Sequence, residues 1–314
     1  MMNYALSKRE LKRMLENGSG RFSSNKNILE LLQQSGTHVA PEHVQQAFKS
    51  AGVDYVSRSI AHLNMRGGIG KTTASLSLAT RAVQYGFKTC LLDLDPQASA
   101  TYALFPEMTE EHLVVADIWE NPEDQLSESL VEVSPHLFLL PSSLDNSVLD
   151  DEWDSPAVQQ TVVKRIVDNL TTAGFDLVVI DAPPSLNCIV IAVIAAVDQI
   201  VVPVWSDPFS VRGLDILITE TSQISKAFDR SEPEINILFA QYDSRLKLSE
   251  SVYQSLRKKH PKRMLKSRIR TSTEFSKAIH NQETVFRRNL KHVASVDYDA
   301  YVREVLSLPV PSPF

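Results

Sequence analysis

Cysteine is nearly absent: 314 residues contain two, Cys90 and Cys188. Two lone cysteines make neither a zinc site nor a disulfide framework. They fit a reducing compartment, so a cytoplasmic setting is expected. Long apolar runs are missing too. None approaches the roughly 18 residues of a bilayer-spanning helix. The opening residues MMNYALSKRELKRML carry no apolar core and no small-residue cleavage site, so no secretory leader is expected. No internal repeat or low-complexity segment is visible. Apolar residues make up 43% and charged residues 22%, ordinary for a globular protein. A chain of this length buries enough apolar surface to fold without disulfides or a structural metal.

An excess of positive charge is also missing. The net charge is −6, which as a total argues against nucleic-acid binding. Its distribution reverses that reading. Residues 1–58 carry a net +3 and residues 59–244 a net −18. Residues 245–291 hold 14 Lys and Arg against 3 Asp and Glu, a net +11. A basic block therefore stands behind an acidic body.

Residues 1–57 are polar, with three short helical patterns: Ser7 to Glu16, Asn25 to Gln34, and Pro41 to Ala51. Each is followed by glycine, a helix-stop signal, and Pro41 suits a first helical position. Lys8, Arg9, Lys12 and Arg13 form a basic patch on the first. The region is expected to be a helical extension, with an arm packed on the main body, a partner-docking element and a reduced helix-turn-helix all open. From residue 58 to 314 the pattern becomes one α/β domain. Apolar runs at Ile60–Asn64, Thr89–Leu94, Leu137–Pro141, Leu177–Asp181, Ile200–Val204 and Ile235–Gln241 read as buried strands. Helical patterns lie between and after them at Lys71–Tyr85, Pro156–Ala173, Cys188–Ala196, Val211–Phe228, Ser249–His260 and Val296–Leu306. This alternation predicts a mostly parallel sheet flanked by helices, with ligands at the carboxyl ends of the strands.

The first apolar run leads into Asn64-Met65-Arg66-Gly67-Gly68-Ile69-Gly70-Lys71-Thr72-Thr73 and then a helix. A glycine-rich turn between strand and helix points backbone N–H groups at an anion, and the helix N-terminus adds its dipole. Lys71 is placed for the β- and γ-phosphates and Thr72 for Mg²⁺. Met65 stands where the strict G-x-x-x-x-G-K-[ST] pattern has its first glycine. The segment matches instead the variant K-G-G-x-G-K-[ST], with Arg66 for the leading lysine. The second strand ends Leu91-Leu92-Asp93-Leu94-Asp95-Pro96-Gln97. Carboxylates two apart on a strand share a side, so one can face a γ-phosphate, its attacking water and Mg²⁺. The run Leu177-Val178-Val179-Ile180-Asp181 is a Walker B arrangement, whose carboxylate holds Mg²⁺ through its water shell. Pro183-Pro184 stiffens the loop that follows. His62, His112 and His136 are isolated in sequence and read as structural.

Together GGIGKTT at 67–73, LLDLDPQAS at 91–99, VVIDAPPS at 178–185, VVPV at 201–204 and YDSR at 242–245 resemble the ParA/MinD family of deviant-Walker ATPases, most closely the ParA partition ATPases. The resemblance covers about residues 58–307. It implies a Rossmann-like P-loop fold, ATP and Mg²⁺ as cofactors, an ATP-dependent homodimer, slow partner-stimulated hydrolysis and nonspecific binding of double-stranded DNA. It gives nucleotide contacts to Gly67, Gly68, Ile69, Gly70, Lys71, Thr72 and Thr73. Asp95 takes the water-positioning role and Asp181 the Walker B role, with Thr72 and Asp95 also toward the metal. Arg66 takes the place of a lysine that reaches the partner subunit's phosphates. A ParB-like centromere-binding protein or cargo adaptor, and a nucleoid-associated place in the cytoplasm, belong to the same implication. The acidic, proline-containing chain end lacks the basic amphipathic helix of membrane-binding relatives, so no membrane partner is expected.

Arg245 matches the first of the family's DNA-contacting arginines. The second segment, Ile269 to Ala278, has Thr271 and Glu274 where the family has arginines, with Arg268 and Arg270 nearby. DNA binding is therefore expected from the whole basic patch, by backbone contacts without base readout. A positioning ATPase with a protein cargo, such as an organelle or chemotaxis cluster, fits the same residues. A metabolic P-loop ligase or kinase would need a further catalytic constellation, and none is visible.

Overall fold

The computed structural model describes residues 6–19, 38–50, 52, 55–150, 156–281, 283–288 and 291–308. The helical pattern expected over residues 25–34 lies outside them. The strands of the main sheet are β1 Arg58–His62, β2 Thr89–Asp93, β3 Val131–Ser134, β4 Leu137–Leu140, β5 Leu177–Asp181, β6 Gln199–Val204, β7 Glu234–Tyr242 and β8 Met264–Arg270. Their order is β8-β7-β6-β1-β5-β2-β4-β3. All neighbours are parallel except β3, which turns back antiparallel on β4. Six strands fall on the apolar runs. The short hairpin strand β3 and the edge strand β8 are additions to the expected set.

The central strands are apolar on both faces because helices cover both. Successive residues sort accordingly. Ile60, Leu91, Leu177 and Val179 join one core, while Ala61, Leu92, Val178 and Ile180 join the other. The first core is closed by α3 Lys71–Gln84 and the C-terminal helix α9 Val293–Val305. The second is closed by α4 Pro156–Thr172, α5 Cys188–Ala196 and α6 Pro208–Ala227. The remaining long helix beside β7 is α7 Lys247–Lys259, and α8 Glu274–His280 follows β8.

The N-terminal residues pack on the first core. Helix α1 Lys8–Ser19 begins with a reciprocal cap, in which Ser7 Oγ accepts from Glu10 N at 3.2 Å and Glu10 Oε2 accepts from Ser7 N at 3.2 Å. This is the sequence logic of Ser-x-x-Glu. Leu11, Met14 and Leu15 of α1, with Val44, Ala47 and Phe48 of α2 Pro41–Ser50, are buried against Ala82, Val83 and Tyr85. Gly86 makes the close approach feasible: its φ is +86°, and a Cβ there would stand 2.5 Å from the Pro41 carbonyl oxygen.

Candidate nucleotide-binding site

The loop between β1 and α3 is held open by Asn64. Its Nδ2 donates to the Pro203 carbonyl at 2.8 Å, and its Oδ1 accepts the Arg66 N–H at 3.0 Å. Gly68 and Gly70 have φ of +70° and +96°, the left-handed region that glycine enters at little cost. Gly70 is the N-cap of α3, so the helix dipole faces the loop. Lys71 opens the helix and is buried, with its Nζ donating to the Arg66 carbonyl at 3.3 Å. Burial pulls its pKa down, against the pull of the Asp181 and Asp95 carboxylates. The loop lines a cleft of about 860 Å³, together with Asp95, Gln97, Tyr102 and Pro184 and with Gln241, Arg270, Ser272, Phe275 and Tyr298.

The three carboxylates have different surroundings. Strand β2 ends at Asp93, so Asp95 lies past the strand and the shared-side rule does not reach it. Asp93 is buried, and its Oδ2 accepts both the N–H and the hydroxyl of Thr101 at 2.8 Å. Its Oδ1 accepts the Asp95 N–H at 3.3 Å. Asp93 thus folds the 93–101 turn and leaves Asp95 on the cleft wall. Asp181 lies level with His62 on β1 and Asp93 on β2. Burial raises the pKa of both Asp93 and Asp181.

The Asp181 surroundings fit Mg²⁺. Its Oδ1 accepts the Ser75 hydroxyl at 3.0 Å and the Thr72 hydroxyl also bonds the carboxylate. Its Oδ2 is buried and has no hydrogen-bond partner among the described residues. An orphaned carboxylate oxygen beside a threonine hydroxyl is a donor set for a hard cation. Mg²⁺ needs only one or two protein ligands when phosphates and water supply the rest. Among the described residues no group of three or more His, Cys, Asp and Glu side chains forms a protein-only cage.

Arg66 stands at the loop's outer edge, with its side chain 35% exposed and Nη1 at 3.2 Å from Asp207 Oδ1. Its guanidinium lies 6.0 Å from the Trp205 ring centre and 5.8 Å from that of Phe209. The three arginines expected at DNA each have a different partner. Arg245 is exposed and paired with Asp243 at 2.7 Å. Arg268 lies 4.5 Å from the Tyr242 ring centre and 4.6 Å from that of Tyr253. Arg270 lines the nucleotide cleft, where Asp297 binds its Nη2 at 2.6 Å and its Nε at 2.9 Å.

Sequence reasoning missed several contributors. Gln241, at φ +51°, donates from Nε2 to the Gly68 carbonyl at 3.3 Å. Asp207 and Tyr301 were also unmarked, and His62 is not isolated: it bonds both Ser75 and Tyr301. Only the helix-start pattern Asp207-Pro208 is a local signal that could have flagged one of them.

A parallel sheet, a glycine-rich anion loop with its lysine, and a carboxylate–threonine pair at the strand ends define a P-loop nucleotide-binding protein that takes ATP with Mg²⁺. The family model described as an AAA domain matches residues 57–237, and the chain belongs to that family; it is a ParA/MinD-family P-loop ATPase. It is 25% identical over 296 residues to the cell division protein PomZ of Myxococcus xanthus, covering 90% of this chain and 92% of PomZ. It is 26% identical over 251 residues to the chromosome partitioning protein ParA of Caulobacter vibrioides, covering 80% and 94%. The fold is shared with a plasmid partition protein from Borrelia burgdorferi bound to AMPPNP, at a TM-score of 0.66 and 20% identity over 80% of this chain and 99% of that one. Among the described residues no helix is long and apolar enough to cross a membrane.

Proposed function

We propose that this chain is an ATP-driven positioning switch that moves genetic cargo, a plasmid or chromosome. ATP with Mg²⁺ is held by residues 67–73 and Asp181, and two copies close over it. The closed homodimer binds double-stranded DNA without sequence preference. A ParB-like, cargo-bound adaptor then triggers hydrolysis and release. Lys71 neutralises the transferring phosphoryl group, Asp95 orients the attacking water, and Arg66 reaches the partner subunit's phosphates. The observation that carries this reading is the likeness over most of the chain to ParA and PomZ, joined to a nucleotide site of the same chemistry. The residues 1–57 serve as an arm of the ATPase body, in keeping with the packing of α1 and α2 on α3.

The cationic sheet edge supports the DNA step. Lys266 and Arg270 of β8, Arg257, Lys258 and Lys259 of α7, and Lys262 between them are all exposed. The likeness to a cell division protein keeps a protein cargo as the second reading. The test is DNA binding by fluorescence anisotropy with ATP, with ADP and without nucleotide. ATP tightens binding in the switch, and Lys71→Ala removes that gain. Equal binding with and without ATP overturns the reading.

A further inference from the structure

His62 is the last residue of β1, fully buried beneath the phosphate loop. Its Nδ1 lies 2.9 Å from Ser75 Oγ, and its Nε2 lies 2.6 Å from the Tyr301 hydroxyl. Ser75 Oγ in turn lies 3.0 Å from Asp181 Oδ1 and 3.1 Å from the Lys71 carbonyl. One unbroken chain thus runs from the C-terminal helix to the Asp181 carboxylate, which would hold the ion. We propose that His62 is a positioning residue for the Mg²⁺ site, acting through Ser75 to fix the Asp181 carboxylate.

The direction of each bond follows from counting hydrogens. A Ser hydroxyl has one hydrogen, and an ionised carboxylate only accepts. The Asp181 carboxylate and the Lys71 carbonyl both only accept, so the Ser75 hydrogen is directed to that side, between Asp181 Oδ1 and the Lys71 oxygen. His62 Nδ1 must then carry the hydrogen and donate to Ser75 Oγ. Nε2 is left as the acceptor, and the Tyr301 hydroxyl donates to it. In the opposite tautomer Ser75 would donate to Nδ1, and its lone pairs would face the Asp181 oxygen. The tautomer chosen through Tyr301 thus decides whether Asp181 meets a donor or a repulsive oxygen. With Oδ1 engaged, Oδ2 is the oxygen left without a protein partner, free for the water shell of the ion. Outer partners that fix a metal-facing carboxylate typically contribute about tenfold or more to metal affinity.

This inference rests on the Mg²⁺–ATP reading of the site, and the two fail differently. The probe is a fluorescent ATP analogue titrated in EDTA and again in Mg²⁺. Unmodified protein binds more tightly with Mg²⁺; if it does not, the Mg²⁺–ATP reading itself falls. Given that gain, His62→Leu keeps its affinity in EDTA within about twofold and loses about tenfold of the Mg²⁺-dependent gain. His62→Asn, whose amide N–H takes the place of Nδ1–H, recovers most of the loss. Nitrogen NMR of histidine-labelled protein, assigned with His62→Asn, finds the Nδ1–H tautomer. Tyr301→Phe folds with one hydroxyl fewer and weakens the gain while shifting that signal. His62→Leu with the full Mg²⁺ gain overturns the inference. Should that variant not fold, an Nε2–H tautomer or an unchanged gain in Tyr301→Phe overturns it equally.

Discussion

The Arg66 guanidinium lies 3.2 Å from the Asp207 carboxylate of its own chain. Asp207 is also the N-cap of α6, with its Oδ1 accepting the N–H groups of Phe209 and Ser210. The loop that meets phosphate is thereby tied to the start of a long helix. A lysine would offer a point charge here, whereas arginine offers a planar fork that also meets the Trp205 and Phe209 rings. The pair is partly solvated, so its net worth is about 1 kcal/mol or less. A phosphate carries more charge than one carboxylate and can outcompete it. Arg66 is thus anchored at home by a bond weak enough to be exchanged.

If Arg66 works across a dimer, Arg66→Ala binds ATP with near-normal affinity but loses ATP-dependent dimerisation or hydrolysis. Light scattering on a sizing column, with and without ATP, reads the first, and phosphate release reads the second. Asp207→Asn keeps an oxygen for the helix cap and removes the competing charge, so its ATP-dependent dimer forms at lower protein concentration. Unchanged dimerisation and turnover in Arg66→Ala would remove the residue from the mechanism.

The cationic sheet edge gives a separate expectation. Lys258, Lys262 and Lys266 are exposed and far in sequence from the phosphate loop. Each phosphate contact contributes about −0.9 to the slope of log affinity against log salt. Replacing all three with alanine should flatten that slope by about 2 to 3 and leave ATP affinity unchanged. A weakened affinity with an unchanged slope would argue against these lysines as phosphate contacts.

The phosphate loop and the Walker B strand were legible because their chemistry is contiguous: a short run of neighbouring residues carries both the fold signal and the function. Strand β8 was not. Its run Met264-Leu265-Lys266-Ser267-Arg268-Ile269-Arg270 is dense in charge, as edge strands often are to discourage further pairing, and it reads as part of a basic block. Asp93 and Asp95 were legible as a pair but not as opposites, because their roles depend on where β2 stops and on Thr101. His62 and Tyr301 are separated by 239 residues, and nothing local links them. The same holds for Arg270 and its partner Asp297, 27 residues apart, a pairing that no local pattern signals.

The buried His62 makes the nucleotide-free protein acid-sensitive. Burial drives its pKa down from 6.5 to about 3. Below the unfolded value the unfolded chain holds a proton that the folded chain does not. Stability is therefore fully present above about pH 6.5 and declines as pH falls toward the folded value. The decline approaches about 1.4 kcal/mol per pH unit. Urea unfolding at pH 7.5 and pH 5.5 measures the difference, and His62→Leu reduces it by roughly one proton's share. An equal pH dependence in both proteins would show that other groups set it.

Arg81 joins the N-terminal arm to the body. Its side chain is 3% exposed, with Asp299 Oδ1 at 2.7 Å and Glu10 Oε1 at 3.1 Å. Asp299 also binds Arg303 at 2.7 Å and the Tyr85 hydroxyl. Removing Asp299 takes a carboxylate from two buried guanidiniums at once, and breaking such a pair costs about 3 to 5 kcal/mol. Glu10 is 22% exposed, so its removal costs less, and the loss falls on the arm. Asp299→Ala should therefore lower the global urea midpoint. Glu10→Ala should mainly raise amide exchange in residues 6–19 while α3 stays protected. Equal loss of protection in α1 and α3 on removing Glu10 would mean that the arm and the ATPase body open as one unit, and that Glu10 carries no separate docking role.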